Sequence, residues 1–437
     1  MQLDWNGSDH DLAAALPGRF LGKPKRGPLT GGRTIGLRNL AEYEVAAYGR
    51  TRNHLEGAVS RLSPYIRHGM LGLVEVRDAL KAKHPHEPKL TEEFFRQLAW
   101  RDFFEKVLAW HGIGLRDDIE AAKHGVERRE RIPLDVLRGE TGLPCIDGML
   151  AELFDTGYLH NHERLWFAAY LCHFRGIRWT EGARLFRQHL YDGDEASNTS
   201  SWQWVESTFA SKPYFMNKQN IDGFSSARWC RDCAAKCPFD ASYEALQHSL
   251  FGGSHAPLDR GERPSQDIDP SPPPIAASTF EVPETDAVVW LHDAALSWDE
   301  PALKANPNAA VLFAFDASSL AEEPWAFHRL AFVRDGVREV FERIPNATKL
   351  LVAGNTLEEV RALMKATAAT TLHVTEHPNT AVVGVIETLK QEFSVIVHPR
   401  PTFASYADEP RRFSRYWEKV APQVLGYSPK ANKRLHQ

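Results

Sequence analysis

The chain has 437 residues, 43% hydrophobic and 25% charged, with a formal net charge of −5. That length exceeds one compact core and predicts two or three domains, while the net acidity argues against a generic nucleic-acid coat but leaves room for a local basic groove. No run approaches the ~20 apolar residues that span a bilayer. The start, "MQLDWNGSDHDL", is too polar for a secretory signal, and the five cysteines do not read as a disulfide framework, so a cytoplasmic protein without a membrane partner is expected.

In chain order, residues 1–30 read as an N-terminal tail and 31–254 as an almost purely helical domain. Amphipathic segments begin at Leu37, Thr91, His162 and Trp179 and carry aromatic and polar side chains on shared faces. "SRLSP" offers Ser60, Arg61 and Ser63 as hydroxyls and a guanidinium suited to phosphate, or is a plain turn. Phe94, Gln97 and Arg101 recur at i, i+3 and i+7, with Trp100 and Phe104 beside them. Such a stripe either stacks and edges a flat ring or covers a surface helix. "TGYLHNHERLWF" sets Asn161 and Arg164 one turn apart, flanked by His160 and His162, which surface polarity explains equally well. In "DGDEASNTSSWQW", Asp194, Asn198 and Trp202 form another stripe, and Asp192 is placed to cap a helix.

"WCRDCAAKCPFD" groups Cys230, Cys233 and Cys237, a pattern that suggests a metal site in need of a fourth ligand. Cys172 lies on an apolar face and reads as an inert core thiol. Residues 255–283, with PPP and no apolar period, read as a linker. From 284 to 400, β-rich runs starting at Asp286, Ala309, Thr348, Thr370 and Ser394 alternate with helical patterns, which predicts a doubly wound parallel α/β (Rossmann-like) domain. No GxGxxG follows its first strand. Residues 401–437 read as a C-terminal helical extension.

Taken in order, "SRLSP", "LAWRDFF", "TGYLHN" and "DGDEASNTSSWQW" resemble the photolyase/cryptochrome family over roughly residues 40 to 215. "VVWLHDAALSWDEPAL", "VLFAFD", "RLAFVRDGVREV" and "RRFSRYWEKV" resemble the family's α/β domain, which normally comes first. The resemblance therefore implies a circular permutant, with an all-helical photolyase-type FAD-binding domain ahead of the α/β domain.

It further implies FAD held by Tyr48, Ser60, Arg61, Leu62 and Ser63 at its phosphates and ribose. Gln97 and Arg101 would line the pocket, Asn161 and Arg164 would face the flavin, Asp192 and Asp194 would contact its ring and ribityl chain, and Asn198 would sit beside N5. The implied reaction is electron donation from photoexcited reduced FAD to a cyclobutane pyrimidine dimer flipped out of DNA, with Trp100, Gln97, Asn161 and Asn198 as the catalytic set. Trp100, Arg101, Tyr158 and His162 would meet the lesion or the DNA, and Trp202 and Trp179 would relay electrons. Iron–sulfur members of the family place a fourth cysteine where "TGLPCIDGML" has Cys145. Four thiolates suit a [4Fe–4S] cluster or zinc, and the resemblance favours the cluster. An antenna chromophore in the α/β domain leaves no short signature.

Several positions depart from the family's pattern. Gln97 stands for a glutamate that bonds the dimer, Tyr158 for a stacking tryptophan, and Val126 for the outer tryptophan of the relay. Asn161 and Leu165 replace the histidine pair of (6-4) enzymes, so a dimer in single- or double-stranded DNA is the expected substrate of a monomeric enzyme. A light sensor without repair activity, or an inert flavin scaffold, are the alternatives.

Overall fold

A computed structural model of the chain describes residues 1–252 and 272–428; most of the expected linker and the end of the expected extension lie outside the described residues. In the first half the longest helix is Lys89–His111, kept helical by apolar positions such as Phe95, Leu98, Phe103 and Val107 and stopped at Gly112, whose φ of 54° suits glycine. Helix Glu195–Glu206 packs on it, helices Asn161–Ala169 and Trp179–His189 pack on Glu195–Glu206, and Pro144–Thr156 packs on Asn161–Ala169. Helix Asn161–Ala169 runs into a π-helical turn, Tyr170–Phe174.

The second half is built on a sheet. Its strands are β1 (Gln2–Leu3), β3 (Ala287–Leu291), β4 (Ala310–Asp316), β6 (Lys349–Gly354), β7 (Thr371–Thr375) and β8 (Ser394–His398), ordered β1-β6-β4-β3-β7-β8. Strands β3 to β8 pair in parallel, with Val289 opposite Val311 and Val288 opposite Leu372, while β1 runs antiparallel on β6. From β3 onward the chain starts near the centre, steps through β4 to β6 beside the β1 edge, and then passes to β7 and β8 on the other side. Because side chains alternate along a strand, Val289, Leu291, Val311 and Phe313 enter one core, and Val288, Trp290, Leu312 and Val352 enter another. Helices Thr356–Ala366 and Thr380–Leu389 close the second core. Helix Phe327–Arg343 closes the first together with the helical half, so one continuous core joins Phe95 and Phe103 to Phe332, Val337 and Val420.

Two expectations change. Residues 1–30 are not a free tail: β1 extends the sheet, helix Asp9–Ala15 enters the shared core, and a two-stranded ribbon pairs β2 (Phe20–Leu21) with β5 (Trp325–Ala326). Strands of two residues leave no readable period, which is why they were not expected. The extension 401–437 is not separate either, because its helix Phe413–Leu425 lies on Lys89–His111 and the Tyr416 hydroxyl donates to Asp102.

Polar links also cross between the halves. Arg67 meets Asp293 at 2.8 Å, Arg187 forks onto Glu323, and Glu195 accepts from the Thr380 backbone at 2.9 Å. Among the described residues no helix is long and apolar enough to cross a membrane.

Candidate functional site

A cavity of about 450 Å³ opens among the helices of the first half, within the size range of small-molecule pockets. One wall is the stripe of helix Lys89–His111: Phe94, Gln97, Trp100, Arg101 and Phe104 all line it. The "SRLSP" loop supplies Ser60, Arg61, Leu62 and Ser63, with Tyr48 alongside. Arg61 has a φ of 53°, a left-handed conformation that costs a non-glycine residue about 1–3 kcal/mol and clusters at ligand clamps. Opposite stand Tyr158, Asn161, Arg164, Asp192, Asn198 and Trp202.

Of the residues implied to hold a flavin, Asp194 alone does not line the cavity. It caps helix Glu195–Glu206 by accepting from the Ser197 backbone, and it anchors Arg101 at 3.0 Å. Asp192 pairs with Arg164 at 3.0 Å. Burial would raise the Asp192 carboxyl, but Arg164 and the Ser63 hydroxyl hold it below the usual carboxylate range, so it remains an anionic acceptor. Asn198 is oriented by donating from its amide to the Ala183 carbonyl at 2.8 Å.

Four guanidinia, the hydroxyls of Ser60 and Ser63 and apolar walls make a cradle for a flat ring carrying phosphates. The Ser197 hydroxyl, which also lines it, is buried without a partner among the described residues, as expected of a group that awaits a ligand. The residues present therefore fit FAD.

The lesion and relay positions are less uniform. Trp100 lines the cavity, yet its ring is stacked on Phe413 with centroids 3.7 Å apart and planes 10° apart. Tyr158 lies between the guanidinia of Arg61 and Arg164, 5.2 and 5.5 Å from its ring centre. Gln97 donates to Glu93, which also pairs with Arg52. His162 does not line the cavity; it packs on Trp166 and Phe224 and contacts the Asn53 carbonyl. Trp202 lines the cavity and is 2% exposed, whereas Trp179 is buried outside it and donates to Asp118.

The four cysteines line one cavity. Cys145, near the start of helix Pro144–Thr156, lines one small cavity with Cys230, Cys233 and Cys237, and Trp229 and Phe239 close it. Burial, then the neighbouring Cys237 sulfur, pushes the Cys145 thiol up to about 12. Together the thiols favour a cation that would let them ionise. Cys172 is fully buried and apart from this set.

A cluster that the sequence did not reveal sits at the end of helix Glu195–Glu206. His124, His173 and Glu206 bring their ligand atoms within 4.8 Å of one another, and Arg128 lies among them, 2.7 Å from Glu206 and 3.0 Å from both imidazoles. Its parts come from a loop, the π turn and a helix end, so no local spacing links them.

Residues 94–237 match the family model described as the FAD binding domain of DNA photolyase. Over 168 residues the chain is 33% identical to a deoxyribodipyrimidine photo-lyase of Halobacterium salinarum, covering 37% of this chain and 35% of that protein. Through this helical half the chain is similar to members of the photolyase/cryptochrome family. Another similar member is a cryptochrome DASH of Gloeobacter violaceus, 32% identical over 190 residues, 40% of this chain and 37% of that one. The chain thus spans little more than a third of these photolyase/cryptochrome relatives. Among solved members, a Synechocystis cryptochrome superposes with a TM-score of 0.42 at 26% identity, over 47% of this chain and 46% of the other.

Proposed function

We propose that the chain is a light-driven, FAD-dependent DNA photolyase acting on cyclobutane pyrimidine dimers. The observation that carries this reading is the cavity itself: eleven of the twelve residues that the resemblance implies for flavin line it, in a shell of arginines, serines and aromatic rings. Bound reduced FAD would supply photoexcited single-electron donation to the dimer. In this reading Arg61, Ser60 and Ser63 hold its phosphates, Asp192 and Arg164 fix its ring edge, and Asn198 orients beside it. Gln97 and Trp100 face the lesion, and Trp202 and Trp179 pass electrons inward.

The test is a repair assay on an oligonucleotide with one thymine dimer, with reduced protein in blue light and in the dark. Light-dependent recovery of the thymines is expected, and intact dimers beside a bound, photoactive flavin would overturn the repair reading.

A blue-light receptor without repair is the second reading, because both rings expected to clasp a lesion are already engaged: Trp100 by Phe413, and Tyr158 by two guanidinia. The parallel strand order, with β3 central and the later strands running outward from it to both sides, supports a doubly wound, Rossmann-like α/β domain in permuted position. An antenna chromophore would take the crevice of about 780 Å³ at its strand ends, between Trp290 and Trp325. We take the protein to act as a cytoplasmic monomer on DNA.

Cys145, Cys230, Cys233 and Cys237 would hold a [4Fe–4S] cluster. Cys145→Ser should lose iron and acid-labile sulfide, measured per chain, while Cys172→Ser keeps both. Zinc in place of iron in the purified protein would reject the cluster.

A further inference from the structure

Helix Trp179–His189 ends just before Asp192, which lines the flavin cavity, and Asp194, which anchors Arg101 there. A helix end leaves its last carbonyls without backbone partners. Here side chains from distant segments take them. The Arg329 guanidinium donates to the Arg187 carbonyl and, at 2.6 Å, to the Gly193 carbonyl. Its neighbour His328 donates from Nε2 to the His189 carbonyl at 2.7 Å. Arg67 reaches Gly193 as well, at 3.3 Å, and is itself held by Asp293.

Arg329 stands in the first turn of helix Phe327–Arg343, in the α/β half. A cation there opposes that helix's own dipole, whereas at the end of Trp179–His189 it complements the dipole. The residue is 2% exposed, and its guanidinium carbon lies 3.7 Å from the centre of the Trp325 ring. Asp293, Glu323 and Asp194 attract it from a distance without bonding it. A buried cation is costly without partners, and its hydrogen bonds go to this one turn. Gly193 separates Asp192, paired with Arg164, from Asp194, paired with Arg101. Fixing its carbonyl therefore fixes where both carboxylates, and through them two cavity arginines, point.

We propose that Arg329 is a positioning residue for the cofactor: from the α/β half it holds the Asp192–Asp194 turn in the conformation that binds FAD. Resting on the flavin reading, this makes the cofactor affinity of one half depend on a side chain of the other. Without the clamp the turn samples other arrangements, and the apparent affinity falls with the competent fraction.

The test is equilibrium dialysis of the full chain against graded FAD, with folding checked by circular dichroism and thermal melting. Arg329→Met keeps the stem over Trp325 but has no donor, and should bind FAD about tenfold or more weakly, as expected for charged hydrogen bonds lost from a binding turn. Arg329→Lys keeps the charge but cannot bridge both carbonyls; it should recover part of the affinity, and it serves if the Met variant does not fold. Arg334→Ala is the control. It removes a buried guanidinium of the same helix that binds Gly7 and Asp9, and should lower the melting temperature while leaving FAD affinity unchanged. Undiminished binding by Arg329→Met, or by Arg329→Lys in its place, would overturn the proposal, as would an equal loss in Arg334→Ala. No FAD binding by the unmodified chain would overturn the flavin reading and the proposal with it, a result the variants cannot mimic.

Discussion

Arg128→Ala should lower the unfolding free energy by about 3–5 kcal/mol, the usual result of removing one partner of a buried charge pair. Glu206 is 3% exposed and accepts from Arg128 through Nε at 2.7 Å and Nη2 at 3.3 Å. His173 Nε2 faces the Val205 carbonyl at 3.1 Å and must carry its proton there, which leaves Nδ1 to accept from Arg128. His124 Nδ1 accepts from the Val126 backbone, so its Nε2 proton points at Glu206, 3.1 Å away. Arg128 therefore neutralises the carboxylate and satisfies an imidazole together.

Burial alone would raise the Glu206 carboxyl; His124, His173 and Arg128 instead bring it to about 2. Burial lowers His173 to about 4. A depressed carboxyl stabilises the fold above pH ~4.5, and that stability is lost as pH falls toward 2. A depressed histidine makes the unfolded chain take up a proton that the native state refuses, so stability also falls between pH ~6.5 and 4. Urea unfolding at pH 7 and 5 reads the histidine effect, and at pH 3 the carboxyl effect as well: Arg128→Ala should be far weaker at pH 7 and 5, and Arg128→Lys should recover only part. A loss below ~1 kcal/mol at pH 7 would show the cluster to be energetically idle.

Gly182→Ala should damage both stability and flavin retention. A Cβ at Gly182 would stand 2.1 and 2.3 Å from the ring atoms Cη2 and Cζ3 of Trp202 and 2.8 Å from Leu171 Cδ2. Helix Trp179–His189 would gain about 1 kcal/mol from alanine were space available. Space is lacking, since Trp202 is already wedged against Phe186, with centroids 5.1 Å apart. Overpacking of this kind costs about 1–3 kcal/mol. The ring's way out is toward the cavity it lines, so less flavin should survive gel filtration, measured by visible absorbance per chain. Gly223→Ala, in helix Lys218–Phe224 with nothing within 4 Å of the added carbon, is the control and should bind flavin normally. Equal retention by both variants would contradict the packing argument.

The flavin cavity was legible where its residues recur along single helices. The stripe through Phe94, Gln97 and Arg101 and the Asn198–Trp202 spacing both face it. Strands β3, β4, β6 and β7 were readable because each is buried on both faces and so carries a continuous apolar run, whereas β8 is a half-exposed edge strand. His162 was misplaced because a helix start with a histidine on either side does not say which one turns inward. The Glu206 cluster and the Arg329 contacts to Arg187 and Gly193 were invisible because each joins segments far apart in sequence whose partners are chosen by packing. Phe413 over Trp100 belongs to the same class, a contact between residues more than three hundred positions apart.

The pairing of β1 with β6 has a consequence for biosynthesis. Gln2 and Leu3 leave the ribosome long before their partners across the sheet, Leu351 and Val352, are made. Helix Asp9–Ala15 likewise waits for Phe327–Arg343. Folding cannot finish from the N-terminus forward. The helical half must emerge with its leading segment unclaimed, exposed to chaperones and proteases, until the sheet arrives to receive it.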